Sequence, residues 1–133
     1  MDNVSILIVE KEAIIAADLY KKLESIGFNV IGVASNVEEA TVIAKKMCPQ
    51  LAVMDTDLFG TPTGVETAKA IQALCDRMPV LFLSCQPAAL NVIEQANLTG
   101  AYACVAKPFV KDELVSQIEK VLNDSHACQN GAP

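Results

Sequence analysis

The sequence lacks several features that mark common classes of protein. Tryptophan is absent, and the single histidine, His126, lies in a polar C-terminal segment, which argues against a catalytic imidazole. Ten Lys and Arg residues stand against sixteen Asp and Glu, and they are spread along the chain without a basic stripe that could neutralise phosphates. We therefore expect that this chain binds no nucleic acid.

Signals for membrane insertion and export are also missing. No stretch reaches the roughly 20 apolar residues that a membrane helix needs. The N-terminal sequence MDNVSILIVE has neither a basic region nor a small-residue cleavage site. Five cysteines form an odd set without C-x-x-C spacing, which argues against a disulfide framework or a zinc site and favours a reducing environment. We expect a cytoplasmic protein without membrane contact.

The composition that is present is typical of one folded domain. The chain has 133 residues, of which 52% are hydrophobic and 20% charged, so it can bury a substantial core. We predict a domain over residues 1–124. Residues 125–133 are predicted to be a flexible tail or the start of a linker.

Short apolar runs alternate with helical patterns along this domain. The predicted strands are 4–9, 28–34, 51–54, 79–84 and 101–106. The predicted helices are 12–27, 35–47, 64–78, 88–100 and 110–124, of which 88–100 has the weakest pattern. Gly27 is expected to end the first helix, and Ser35 with Glu38 to form a capping box at the second. Continuous apolar strands joined by helices indicate an α/β fold, a doubly wound parallel sheet with helices on both faces.

Polar residues follow four of the five predicted strands. Glu10 follows the first strand, Asp55 and Asp57 the third, Ser84 ends the fourth and Lys107 follows the fifth. An Asp in such a position can simply cap the next helix. However, the carboxyl ends of parallel strands share one edge of the sheet, where sites form in this architecture. Capping alone does not explain the whole set.

The chemistry of this set suits a phosphoryl group. Clustered carboxylates repel one another unless a cation lies among them, and Mg²⁺ is commonly held by a few carboxylates and water. The predicted metal-binding residues are Glu10, Asp55 and Asp57. A hydroxyl from Ser84 and the ammonium of Lys107 would contact phosphoryl oxygens. Aspartate can itself attack phosphorus, so Asp55 is the candidate acceptor.

The order of these motifs resembles the receiver domain of two-component response regulators over about residues 4 to 123. The matching pieces are ILIVEKE, LAVMDTDL, PVLFLS and VAKPF. The resemblance implies a flavodoxin-like fold with strand order 2-1-3-4-5. It also implies that Asp55 is the phospho-acceptor, Glu10 an acidic-pocket residue, Ser84 the switch hydroxyl and Lys107 the phosphate-contacting lysine.

The sequence departs from the receiver pattern at two positions. Lys11 occupies the place of a second acid that usually ligates the metal, so Mg²⁺ binding should be weakened, or the ammonium should stand in for the cation. Cys104 occupies the place of the usual switch aromatic, and Tyr102 lies on the same strand face by parity. We interpret Cys104 as a small buried hydrophobe, with a redox role as the alternative.

Three functions compete at this point. The resemblance implies a phosphorelay module that takes a phosphoryl group from a histidine kinase or phosphotransfer protein and acts on a downstream partner or an output domain outside this chain. Such a module is not an enzyme beyond self-catalysed phosphotransfer and autodephosphorylation. A phosphorylation-independent pseudo-receiver, disabled by Lys11, is the first alternative. The sequence MDTDLFGT also resembles the D-x-D motif of haloacid-dehalogenase-like phosphatases, the second alternative. The oligomeric state stays open, a homodimer included.

Overall fold

The computed structural model describes residues 4–56, 64–84, 93–94, 97–106 and 109–129. The strands are β1 (Ser5–Val9), β2 (Asn29–Ala34), β3 (Leu51–Asp55), β4 (Val80–Ser84) and β5 (Tyr102–Ala106). The helices of more than one turn in the described ranges are α1 (Ala13–Ile26), α2 (Val37–Met47), α3 (Gly64–Leu74) and α4 (Lys111–Gln129). None of these described helices is long and apolar enough to cross a membrane.

All five strands form one parallel sheet in the order β2-β1-β3-β4-β5. The predicted α/β class and the predicted strand order are confirmed. The three inner strands β1, β3 and β4 are buried almost throughout, as expected for strands that helices cover on both faces. The order reverses direction between β1 and β3, so the carboxyl ends of these two strands border the crevice in which such folds carry their sites.

Alternating side chains divide the core into two layers, one on each face of the sheet. One layer joins Ile6, Ile8 and the strand residues of the same parity to apolar residues of α1 and α4. The other layer joins Leu7, Val9 and their counterparts to α2 and α3, where the helix residues are mostly alanine, valine and isoleucine. Each fully buried aliphatic side chain contributes about 1.5–3 kcal/mol to folding, so the two layers position the strand ends firmly.

A β-bulge interrupts the pairing of β1 with β2. Ile6 pairs with Val30 and Leu7 pairs with Gly32, so Ile31 is an extra residue on β2. β2 is an edge strand, and bulges are most frequent at sheet edges.

Of two predicted helix caps, one is confirmed and one is wrong. Gly27 follows α1 with a left-handed φ of 117°, which confirms the predicted end of that helix. The predicted capping box of Ser35 and Glu38 is wrong by one residue. Asn36 is the N-cap of α2 and accepts a hydrogen bond from the Glu39 backbone N–H at 2.9 Å. Asn and Ser cap equally well, so the sequence pattern did not distinguish them.

Other helix bounds differ from the sequence prediction. α3 ends at Leu74 and not at 78, because Asp76 and Arg77 adopt left-handed conformations. The weak helix predicted over 88–100 lies largely outside the described residues. Within it, 93–94 are helical, and Asn97 has a φ of 55°, so the helix does not extend to Gly100. α4 runs to Gln129, five residues beyond its predicted end, while the domain boundary at 124 stays a prediction.

Candidate functional site

The carboxyl ends of β1 and β3 bring two predicted acids to neighbouring positions. Val9 pairs with Met54, so Glu10 and Asp55 are the next residues along the two parallel strands. The Glu10 backbone N–H donates to the Ala34 carbonyl of β2 at 2.9 Å, which extends the ladder to this residue. By strand parity, both carboxylates belong to the sheet face that α1 and α4 cover.

Both acids are buried. Glu10 is 1% exposed and Asp55 is 3% exposed. Oε2 of Glu10 accepts a hydrogen bond from the Glu12 backbone N–H at 3.1 Å, which ties the carboxylate to the start of α1, and Oε1 is shielded from solvent. Two acids buried on adjacent strand ends offer carboxylate oxygens to a cation, and a bound cation would offset the cost of burying negative charge there.

The donor atoms of this pair fit Mg²⁺. Carboxylate oxygens are the hard ligands that this ion prefers, and it needs only one or two of them from the protein, with water completing its shell. The third predicted ligand, Asp57, lies outside the described residues. Within the described ranges, which leave out Asp57, no group of three or more His, Cys, Asp or Glu side chains could hold a metal. The predicted three-residue metal set therefore stays a prediction.

The carboxyl ends of β4 and β5 lie at the same edge as that of β3. Asp55 pairs with Leu83, and the Thr56 backbone N–H donates to the Leu83 carbonyl at 3.1 Å. Ser84, whose side chain is outside the described part of the chain, is the last residue of β4 and pairs with Ala106. Lys107 directly follows Ala106 and also lies outside the described residues. The backbone thus aligns the ends of β3, β4 and β5 at one edge, as the sequence predicted.

Lys11 follows Glu10 at this edge. Its side chain is partly exposed, in contrast to the buried carboxylate before it. A residue with an ammonium group therefore stands directly after one of the two buried acids. Its effect on metal binding stays a prediction.

Cys104 and Tyr102 pack on the face of the sheet that carries α2 and α3. The ring of Tyr102 meets that of Phe82 edge to face, with 6.3 Å between the ring centroids. Cys104 is half-buried against the same cluster, which contains Phe82. Burial raises the pKa of the Cys104 thiol, so it stays protonated at neutral pH. These contacts support its interpretation as a small apolar residue.

A hydrogen-bonded turn next to this edge was not predicted from the sequence. The backbone N–H and the hydroxyl of Ser35 both donate to Oε1 of Glu39, at 2.8 Å and 2.9 Å. The two bonds lower the pKa of Glu39, the backbone bond more than the hydroxyl bond. An acid four residues after a serine at the start of a helix was the available signal.

Comparison with known proteins gives one consistent family. The family model of the response regulator receiver domain matches residues 6–119. The transcriptional regulatory protein PdtaR of Mycobacterium tuberculosis is 30% identical over 86% of this chain and 54% of its own length. The phyllosphere-induced regulator PhyR of Methylorubrum extorquens is 32% identical over 88% of this chain and 43% of its own length. The chain thus spans about half the length of these curated relatives.

A solved structure shares the fold over nearly its full length. The signal receiver domain of a modulated diguanylate cyclase from Desulfovibrio desulfuricans superposes with a TM-score of 0.82 at 33% identity. The alignment covers 94% of this chain and 98% of that domain.

Proposed function

The chain belongs to the response regulator receiver family of two-component systems, and from this premise we propose that it is a phosphorelay module that accepts a phosphoryl group on Asp55. Receiver domains are signalling domains that interact with histidine kinases and downstream partners, and they generally bind Mg²⁺ at the phosphorylation site. The observation that carries the proposal is the position of Asp55: a 3% exposed carboxylate at the end of β3, in register with the buried Glu10.

The proposed step is an attack by a carboxylate oxygen of Asp55 on phosphorus. The donor is a phosphohistidine of a histidine kinase or phosphotransfer protein. The new P–O bond forms as the P–N bond breaks, and the histidine nitrogen leaves with the electron pair of that bond. When bound, Mg²⁺ supplies positive charge to the phosphoryl oxygens, with Glu10, Asp55 and Asp57 as its proposed ligands. Lys107 provides a second positive charge.

We further propose that phosphorylation changes a surface on the side of β4 and β5. The charge added at Asp55 would draw the Ser84 hydroxyl toward the phosphoryl group and bias the surface formed by the fourth predicted helix, β5 and α4 between two states. Cys104 takes the place of the usual switch aromatic, so Tyr102, already in contact with Phe82, is the aromatic side chain available on this strand face.

The partners in this proposal are a sensor kinase and a downstream protein or output domain. The relatives named above are regulators about twice as long as the matched region, which supports an output function carried by a region outside the alignment. Nucleic-acid contact by the matched region, membrane contact and enzymatic turnover beyond phosphotransfer and autodephosphorylation are not part of the proposal. A cytoplasmic location is part of it, and a homodimer remains compatible with it.

Lys11 supports a second candidate function. A cationic residue directly after Glu10 opposes the binding of a second cation, so a pseudo-receiver that binds its partner without phosphorylation is the alternative. The two functions differ in one measurable property, the capacity of Asp55 to accept phosphate.

Intact-protein mass spectrometry after incubation with acetyl phosphate separates the two candidates. With Mg²⁺ present, we expect the mass of one phosphoryl group to be added to the wild-type chain and none to Asp55→Asn. Hydroxylamine should remove the added group, because it cleaves acyl phosphates. An unmodified wild-type chain at saturating Mg²⁺ would contradict the phosphorelay proposal. If the Lys11→Asp variant then accepted a phosphoryl group, Lys11 would be the residue that disables the site, and the pseudo-receiver would be the correct function.

The phosphatase alternative is tested with a generic phosphomonoester. A receiver should release one equivalent of alcohol per chain or none, and any further release should be no faster than autodephosphorylation of Asp55. Sustained turnover faster than that autodephosphorylation would support the hydrolase.

A further inference from the structure

Two cysteines far apart in sequence meet at the end of the sheet opposite to Asp55. Cys48 directly follows α2 and Cys75 directly follows α3, 27 residues later. Their Sγ atoms are 3.2 Å apart, and Sγ of Cys75 also contacts the Ala44 carbonyl at 3.1 Å. The two thiols therefore bridge the C-terminal ends of two neighbouring helices.

The backbone holds Cys48 in an uncommon conformation at this contact. Its φ is 39° and its ψ is 68°, in the left-handed region that residues other than glycine seldom occupy. Its N–H still donates to the Ala44 carbonyl at 2.9 Å, which completes the last turn of α2. The same carbonyl thus anchors both cysteines, one through the backbone and the other through the thiol.

The two thiols differ in access to solvent. Cys48 is exposed, whereas Cys75 is partly buried. Burial and the neighbouring Cys48 raise the pKa of Cys75 to about 12, so this thiol stays protonated at neutral pH. A thiolate is the form that attacks a disulfide, and an external reagent must reach it from solvent. Cys48 is therefore suited to react first and Cys75 to react second.

We propose that Cys48 and Cys75 form a reversible dithiol–disulfide site that exchanges with low-molecular-weight disulfides such as glutathione disulfide. This proposal does not depend on the proposed function at Asp55, because the two cysteines lie near the start of β3 and β4 and not near the carboxyl ends of these strands. In a reducing compartment such a pair is a regulatory site and not a permanent cross-link.

The exchange proceeds in two balanced steps. The Cys48 thiolate attacks one sulfur of glutathione disulfide, a new S–S bond forms, and one glutathione thiolate leaves. Cys75 then loses its proton to solvent, and its sulfur attacks the Cys48 sulfur and releases the second glutathione. Two electrons pass from the two cysteines to the glutathione pair, which takes up two protons. The sulfurs must approach by about 1 Å to reach the bond length of a disulfide.

The disulfide would close a segment of the chain that contains β3, Asp55 and α3. Closing a loop of this size restricts the unfolded chain, so the oxidised protein should melt at a temperature roughly 5–15 °C higher than the reduced protein. Stability thus gives a second readout, which modification of an isolated surface thiol would not produce.

The test uses the full chain in glutathione buffers of increasing disulfide fraction. After each incubation, free thiols are alkylated, and intact masses and peptide maps are recorded. We expect the wild-type chain to yield a peptide linked through Cys48 and Cys75 and to carry no glutathione on either of these two cysteines. Thermal melts of the same samples should show the upward shift.

Matched variants assign the order of reaction. Cys75→Ser should retain one glutathione on Cys48, and Cys48→Ser should leave Cys75 unmodified under the same conditions. Cys104→Ser, which removes a half-buried thiol on β5, should behave as wild type. The proposal fails if the wild-type chain forms only mixed disulfides, if the linked peptide contains other cysteines, or if Cys48→Ser oxidises like the wild type.

Discussion

The two ends of the sheet bury different kinds of polar side chain, an amide at the amino end and two acids at the carboxyl end. At the amino end, the Gln72 side chain is 1% exposed, and its Nε2 donates to the Met78 carbonyl at 2.9 Å and to the Ala101 carbonyl at 3.4 Å. Its Oε1 accepts from the Gly100 N–H at 3.0 Å. At the carboxyl end, the buried groups are two acids, Glu10 and Asp55, at the ends of adjacent strands.

Polar residues that stabilise the fold and polar residues proposed to bind ligands therefore lie at opposite ends of the strands. A neutral amide with well-directed partners stabilises the connections into β4 and β5 at little electrostatic cost. Adjacent buried carboxylates cost folding free energy, and such arrangements persist where a cation or a phosphoryl group is to be bound. Changes at Gln72 and its partners should therefore alter stability alone, and changes at the carboxyl end should alter ligand binding first.

The largest effect on stability is expected for Gln72→Ala. The change leaves a cavity and removes the partners of a buried N–H and two carbonyls, so it should lower the free energy of unfolding by about 3–5 kcal/mol. Urea denaturation measures this loss. Gln117→Ala on α4, a partly exposed glutamine, is the matched control and should cost less than about 1 kcal/mol. Equal losses in the two variants would contradict the role of Gln72.

Gly100→Ala tests the contact between Gln72 and Gly100 by changing the other residue of the pair. An added Cβ would lie 2.6 Å from the Arg77 carbonyl oxygen and 2.8 Å from Nε2 of Gln72, so backbone has to move. We expect a loss of about 2–3 kcal/mol by denaturation. In Gly32→Ala, the new Cβ would meet side-chain carbons of Ile43, Cγ2 at 3.1 Å and Cδ1 at 3.2 Å, and not backbone, so the loss should be smaller. If Gly32→Ala were the more damaging variant, the close approach would not explain the cost.

Lys11→Asp examines the carboxyl end. The substitution changes the local charge by two units next to the buried Glu10, so Mg²⁺ should bind roughly tenfold more tightly, equivalent to about 1.4 kcal/mol. Isothermal titration with Mg²⁺ measures the change, and Lys21→Asp on the exposed side of α1 is the control for net charge alone. Identical titration curves for wild type and Lys11→Asp would show that Lys11 does not weaken Mg²⁺ binding.

The smallest expected effect is a pH dependence at Glu39. The N–H and hydroxyl of Ser35 lower its pKa in the folded protein below the ordinary value of 4.5. A lowered folded-state pKa contributes stability above pH 4.5, and this contribution is lost as the pH falls through the folded-state value. Glu39→Gln should therefore lose stability at neutral pH and converge with wild type in acid. Thermal melts between neutral pH and pH values below 4.5 measure the difference in stability between Glu39→Gln and wild type. Glu38→Gln is the control for charge on the same turn.

The sequence predicted the sheet well because strand burial leaves a direct pattern. The apolar runs over 51–54 and 79–84, the second apolar up to Ser84, identified inner strands, and the resemblance to receiver domains implied the neighbours of each strand. Helix bounds were less accurate because capping depends on local geometry: Asn36 and Ser35 are equally good caps, and the turn after Leu74 depends on left-handed residues that are not glycine.

The candidate site was predicted in part, for a reason that differs from residue to residue. Glu10 and Asp55 were found because strand ends converge in any parallel sheet. The contact of Cys48 with Cys75 was not predicted, because it depends on how the ends of α2 and α3 pack and has no spacing signal in the chain. Lys107 and Asp57 lie outside the described residues, so their roles stay predictions.

The extra residue at Ile31 affects how copies of this sheet meet one another. An exposed edge strand offers unpaired N–H and C=O groups that can recruit a further strand and start aggregation. Along β2 the bulge shifts the spacing of these groups between Val30 and Gly32, so an incoming straight strand could not keep its register over the full edge. Removing Ile31 should make the chain more prone to form β-rich aggregates at high concentration.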